Sequence, residues 1–284
     1  MKRKQKLIAI LTLFLAISTA WAQRTSQKSF IKTPSKTEVR MFQSKANGIN
    51  YKLSFHTPPN YTLDMNKTYP VLFLLDGDDL FSKVKSVSTD EMILIGIGYA
   101  DTSSKEVDQT RDYTPTYVPY GGFSKEAQKH SGKAKKFLEY IAKELIPYVK
   151  ENFRTNDNLS IAGQAFGGLF TSWVMIRHPE IFDNYIIVNP SLWYNNHYIV
   201  RFLDHIHVMD HIRYDDNSEN KKVYLSVTNN DLNPERNHVG DLEVFVSKLK
   251  AIPLDIKCET LEHTKDGTNF SETLEKGLSF IYKK

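Results

Sequence analysis

The chain has 284 residues, with 37 Lys and Arg against 33 Asp and Glu, 40% hydrophobic residues and one cysteine. One cysteine excludes an internal disulfide, and this length suffices for one large domain with a full core. The four basic residues Lys2, Arg3, Lys4 and Lys6 all precede position 23, so the rest balances at 33 against 33. No basic stripe remains that would favour nucleic acid or an anionic membrane surface.

The N-terminus reads as a secretory signal. A basic start is followed by the apolar run Leu7–Ile17, too short to span a bilayer, and then by Ala20-Trp21-Ala22, a small-x-small cleavage pattern. Residues 1–22 are expected to be removed after Ala22, giving a periplasmic or extracellular protein with no stable membrane span. Residues 23–36 are polar and read as a flexible lead-in, and 37–284 as the folded domain.

Glu38–Ser44 and Ile49–His56 read as a hairpin about Asn47-Gly48. Tyr69–Leu75 and Met92–Tyr99 are continuous apolar runs, as in strands covered on both faces. Ala100–His130 reads as a long polar and aromatic loop. Lys133–Asn152 has helical spacing, with a kink expected at Pro147. Asn158–Ile161 is a strand ending in a tight turn, followed by a helix that runs to His178-Pro179. Strands at Asn184–Val188, Val223–Val227 and Ile256–Leu261 alternate with helices at Leu242–Leu249 and Phe270–Tyr282. Cys258, in the last strand, is expected to be buried. The alternation predicts an α/β fold, with a mixed, mostly parallel sheet of about eight strands and helices on both faces.

The turn at 161–168 reads IAGQAFGG. Strand, G-x-S-x-G and helix form the nucleophile elbow of serine hydrolases. Gly163 and Gly167 have the required spacing, but the middle residue is Ala165, which has no oxygen.

YPVLFLLDGDDLF (69–81), ILIGIGY (93–99), RDYTPT (111–116), FLEYIAKELIPYVKENF (137–153), LSIAGQAFGGLF (159–170), HPEIFDNYIIVNPSLWY (178–194) and EKGLSFIY (275–282) occur in this order. Together, over about residues 38–282, they resemble the putative esterase family of α/β-hydrolases, which includes siderophore trilactone esterases and feruloyl-type esterases. The resemblance implies an α/β-hydrolase fold and a site made of a serine, an acid and a histidine in that chain order, with two backbone N–H groups for the oxyanion.

Carried onto this chain, the nucleophile position is Ala165, and the oxyanion donors are the N–H groups of Phe166 and of the Gly77-Asp78 turn. The acid candidate is Asp231. The histidine position falls on Asp266, and His263, three residues earlier, is the alternative base. Two of the catalytic positions are therefore substituted. The reading is an esterase-family pseudoenzyme that binds an ester, siderophore or acyl-sugar ligand, or a protein partner, in the old cleft. The other reading is a hydrolase with a non-standard site built on Asp266, Asp231 or His263.

Arg111, Tyr113, Trp193 and Tyr194 are candidate ligand-binding residues, with Tyr117, Tyr120, Phe123 and Tyr198 as further aromatics of the two loops. His205, His207 and His211 have a spacing that could begin a zinc site, but no H-E-x-x-H motif accompanies them, and an exposed helix is the simpler reading. No Gly-rich phosphate loop appears, and no cofactor or metal is expected.

Overall fold

The computed structural model describes residues 36–85, 91–120, 124–208, 221–229, 237–262 and 270–282. Eight strands form one sheet: β1 (Lys36–Gln43), β2 (Asn50–Thr57), β3 (Tyr69–Leu75), β4 (Ile93–Tyr99), β5 (Thr155–Gln164), β6 (Asn184–Val188), β7 (Lys222–Asn229) and β8 (Asp255–Glu262). Their spatial order is β1-β2-β4-β3-β5-β6-β7-β8. The β1–β2 and β2–β4 pairs are antiparallel, and every other pair is parallel. This is the expected α/β-hydrolase architecture.

Burial explains which segments became central. Every residue of β4 and β6, and all but Pro70 of β3, is buried, because helices cover both faces. On one face, Leu80, Phe81 and Val84 of α1 (Gly77–Lys85) pack with Phe270, Leu274 and Leu278 of the last helix, Phe270–Tyr282. The other face packs against α2 (Lys105–Tyr113), the rod 134–152, α6 (Phe166–Arg177) and α7 (His238–Leu249).

Two readings need correction, and a third gains detail. The segment 100–130 is not only loop: it contains α2 and a short α3 (Lys125–Gln128). The buried side of α2 consists of Asp108, Thr110, Asp112 and Tyr113, so the apolar periodicity that marks a helix in sequence is missing. Within the rod 134–152, a π-helical turn, Ile141–Leu145, lies between α4 (Ala134–Tyr140) and α5 (Ile146–Asn152), just before Pro147, the residue that cannot donate to the helical ladder. Cys258 is exposed, because β8 is an edge strand that its helices cover only in part.

The sheet order places the site. The chain passes from β3 to β4 on one side and returns at β5 on the other, so the ends of β3 and β5 are neighbours, with Leu74 beside Ala162. Open α/β sheets form their binding crevice at such a reversal, outside the carboxyl ends of the strands.

Candidate active site

Ala165 caps α6 with φ 52° and ψ −114°. Such backbone is costly for any residue with a Cβ, and it turns a strand into a helix within one residue. Three hydrogen bonds hold it: its N–H donates to Val188 O at 3.1 Å, and its carbonyl accepts from Leu169 N–H at 2.9 Å and Ser191 N–H at 3.1 Å. A Cβ on Gly163 would lie 2.5 Å from the Gly167 carbonyl carbon, and one on Gly168 would lie 3.0 Å from Pro190 Cα. The elbow therefore has its full close-packed geometry. Ala165 is exposed, whereas every residue from Phe166 to Ile176 is buried. The position that presents a nucleophile to the crevice presents a methyl group.

No described serine stands in for it. Ser160 Oγ bonds Tyr282 Oη at 2.6 Å beneath the elbow. Ser172 donates to Gly168 O, and Ser191 is buried.

The two expected oxyanion segments are both helix starts. Phe166 opens α6 and Gly77 opens α1. A Cβ on Gly77 would stand 2.7 Å from the Gly96 carbonyl carbon, so β4 crowds this turn and only glycine fits.

Asp76, just before Gly77, is a residue that the sequence reading missed. It has φ 56° and is only 8% exposed. Its Oδ1 accepts both Gln109 Nε2 at 2.6 Å and the Tyr113 hydroxyl at 3.1 Å, while Oδ2 lies toward Gly167. Burial raises its pKa to about 6, against the partly opposing hydrogen bonds of Gln109 and Tyr113 and the charge of Lys105. The signal in the sequence is Asp-Gly directly after a fully apolar strand.

The aromatic candidates separate. Tyr113 and Tyr194 are each 1% exposed, so their rings are packing. The Tyr113 ring lies between Phe137 and Phe170, and burial, with Asp76 beside it, holds its hydroxyl well above the usual phenol range. Trp193 and Tyr194 pack on Phe166, with ring centroids 5.9 and 5.4 Å away. Trp193 is half-buried, whereas Tyr117 and Tyr120 are exposed.

Arg111 is held inside the protein. Its Nε and Nη2 both reach the Asp112 carboxylate at 2.8 Å, and Nη1 pairs with Asp108. Asp112 also accepts from the Tyr51 hydroxyl at 2.8 Å. The fork that could clamp an anionic ligand is spent on two carboxylates of its own helix.

After β6, Asn189 has φ 43° and ties β6 to β7: its Nδ2 donates to Thr228 Oγ1 at 3.1 Å, and Thr228 N–H donates to its Oδ1 at 2.6 Å. Asn195, Asn196 and His197 form a left-handed turn with φ of 48°, 52° and 59°. This turn is pinned by Asn195 Nδ2 to Thr116 Oγ1 and by His197 Nε2 to Asp241 Oδ1, each at 2.9 Å. Neither pairing could be read from sequence, because each partner belongs to a distant loop or helix.

Asp231, His263 and Asp266 lie outside the described residues, as do Phe123 and His211. His205 and His207 belong to a 3₁₀ turn, Leu203–Val208. Among the described residues, no three His, Cys, Asp or Glu side chains are grouped to hold a metal ion, and no helix is long and apolar enough to cross a membrane. Two grooves among the described residues lie away from the elbow. One of about 650 Å³ lies beside His178, beyond the opposite end of the helix that Ala165 caps, and one of about 610 Å³ lies between Lys257 and the last helix.

The comparisons with known proteins agree with this frame. The model of the family described as "Putative esterase" matches residues 44–271. The chain belongs to that family. It is 28% identical over 185 residues to the ferri-bacillibactin esterase BesA of Bacillus subtilis, covering 60% of this chain and 63% of the relative's length. It is 26% identical over 236 residues to the siderophore enterobactin esterase of Emericella nidulans, covering 74% and 73%. Among solved structures, the BES protein from Bacillus cereus superimposes with a TM-score of 0.70 at 24% identity, over 90% of this chain and 98% of that one. The siderophore hydrolase EstB from Aspergillus nidulans gives 0.71 at 19% identity, over 86% and 93%. At these identities the structural likeness bears on fold alone.

Proposed function

We propose that this protein is an exported member of the esterase family that binds an ester ligand in the crevice at the elbow and has lost the serine route of hydrolysis. One observation carries this: an intact, strained, solvent-facing elbow that bears a methyl group at Ala165. The strain and the paired glycines are costs of presenting a residue to the crevice, and they persist here without the hydroxyl. Removal of the serine costs about 10⁶ in turnover in a well-studied hydrolase. A typical ~10 s⁻¹ would fall to ~10⁻⁵ s⁻¹, about one event per day. The names of the relatives favour a siderophore ester as ligand; an acyl-sugar or a protein partner is the alternative occupant. Export rests on the N-terminal basic and apolar pattern with Ala20-Trp21-Ala22.

The test has two arms. The purified protein is titrated with ferri-bacillibactin, followed by tryptophan fluorescence, and is assayed on a panel of aryl and acyl esters. Saturable binding with no turnover above background is expected. Ala165→Ser combined with Asp266→His should gain turnover. Rapid hydrolysis by the unaltered protein would overturn the reading in favour of a site built on Asp266, Asp231 or His263.

A further inference from the structure

Strand β1 forms one edge of the sheet, and among the described residues no strand pairs with its outer side. It lacks two of the devices that block strand addition: its eight residues contain no proline, and they pair with β2 without a bulge. A third device, charge, is present with both signs, as Lys36, Glu38 and Arg40. At the mouth of the β1–β2 hairpin, Ser44 N–H donates to Ile49 O at 2.9 Å, and on the far side of β2 Asn50 O accepts from Ala100 N–H at 3.3 Å. Hydrogen-bonded pairs alternate along an antiparallel ladder, so the even-numbered residues of β1 bond β2. Thr37, Val39 and Met41 therefore turn their N–H and C=O groups to the outer edge. Their side chains share one face, where Val39 is 55% and Met41 59% exposed. Unpaired backbone groups beside exposed apolar side chains are what an added strand covers.

The charges of β1 select its partner. When two copies of a strand pair antiparallel about an axis normal to the sheet, each side chain stays on its own face, so opposed residues are both even-numbered or both odd-numbered. Two such registers leave all but one of the eight residues paired. One sets Arg40 against Arg40. The other sets Val39 against Val39, and then Glu38 of each copy faces Arg40 of the other. A shorter register sets Glu38 against Glu38 and Lys36 against Arg40. Opposite charges directly across a strand pair attract, and like charges there repel, so the register centred on Val39 is favoured. It also sets Thr37 against Met41, which joins the exposed Val39 and Met41 side chains of both copies into one apolar strip.

We propose that β1 is a dimerisation edge, at which a second copy of this chain pairs antiparallel about a two-fold axis at Val39, so that one sheet runs through both copies. The pairs Thr37–Met41, Val39–Val39 and Met41–Thr37 each exchange both of their N–H···O bonds. Glu38 and Arg40 already bond each other within one copy at 2.7 Å, so the second copy closes a ring of four alternating charges. Arg40 is anchored for this by the Tyr148 hydroxyl and by the Phe55 ring, 5.7 Å from its guanidinium carbon. Strands β2, β4 and β3 lie between β1 and β5, so the crevice at the elbow stays open in the dimer.

The test is sedimentation equilibrium of the purified protein over about 1 to 500 µM, a range suited to a small interface. A reversible monomer–dimer equilibrium with nothing larger is expected, because two-fold pairing uses both β1 edges. Glu38→Arg sets arginine against arginine twice and should weaken the dimer roughly ten-fold or more. Arg40→Glu sets glutamate against glutamate and should do the same. Mixed in equal amounts, these two variants should form a heterodimer, since every charge pair across the axis is then restored. Val39→Lys brings two lysines together at the axis and should leave a monomer. Circular dichroism melts show that each variant is folded. A monomer throughout the range would overturn the proposal and leave the edge to the chain's own lead-in or to another protein. A dimer unaffected by Glu38→Arg or by Val39→Lys would place the contact elsewhere and overturn it too, as would two folded charge variants that fail to pair with each other. Arg40→Glu also loses the Tyr148 contact; if it fails to fold, Glu38→Arg and Val39→Lys decide the matter.

Discussion

Replacing Ala165 with glycine should stabilise this protein, the opposite of what Ala→Gly does almost anywhere else. At φ 52° and ψ −114° the Cβ of Ala165 sits in backbone that costs of the order of 1–3 kcal/mol. Glycine removes that cost but adds unfolded-state freedom worth roughly 0.4–1 kcal/mol. The methyl is exposed, so little burial is lost with it. The net gain should be about 1 kcal/mol, or a rise in Tm of roughly 2–4 °C for a domain of this size. Urea unfolding of both proteins at constant m-value measures it. Ala142→Gly, within the helical rod 134–152, is the control and should lose roughly 0.5–1 kcal/mol. If Ala165→Gly loses stability alongside the control, the elbow is unstrained, and its retention here says nothing about a preserved site.

Gly163→Ala should cost about 1–3 kcal/mol in the same urea assay, because its Cβ would meet the Gly167 carbonyl carbon at 2.5 Å, where backbone cannot yield. Asp76 has a folded pKa of about 6 against an ordinary 3.8, so the folded state holds its proton more tightly than the unfolded chain. Stability from this group is full below about pH 4 and is lost as pH rises toward 6; Asp76→Asn should therefore gain up to about 3 kcal/mol at pH 7.5 and little at pH 4, read from paired urea melts. Arg111→Leu leaves the buried carboxylate of Asp112 without its bidentate partner and should cost about 3–5 kcal/mol of stability. Ligand affinity measured well below the new melting point should be unchanged; a selective loss of affinity with stability intact would return Arg111 to the binding site.

Much of the fold was legible because burial on both faces writes itself as unbroken apolar runs. Tyr69–Leu75 and Asn184–Val188 agree with their strands residue for residue. The glycine spacing about Ala165 gave the elbow, since strand, tight turn and helix each leave a local mark. Helix α2 escaped because its buried side, Tyr113 apart, is polar and serves an ion network. Cys258 was misjudged because apolar alternation reports a covered face and cannot report that the strand lies at the sheet's edge.

By itself, the sequence determined that no serine stands in the elbow and that the surrounding motifs are those of an esterase, because both are matters of residue identity and local spacing. Only the tertiary structure decided which polar groups share the crevice. Asp76 meets Gln109, Tyr113 and Gly167 because β3 lies beside β5 while the chain between them runs out to β4 and back through α2. That juxtaposition depends on strand order. It gives one carboxyl an unusual proton affinity, and no short stretch of the chain records it.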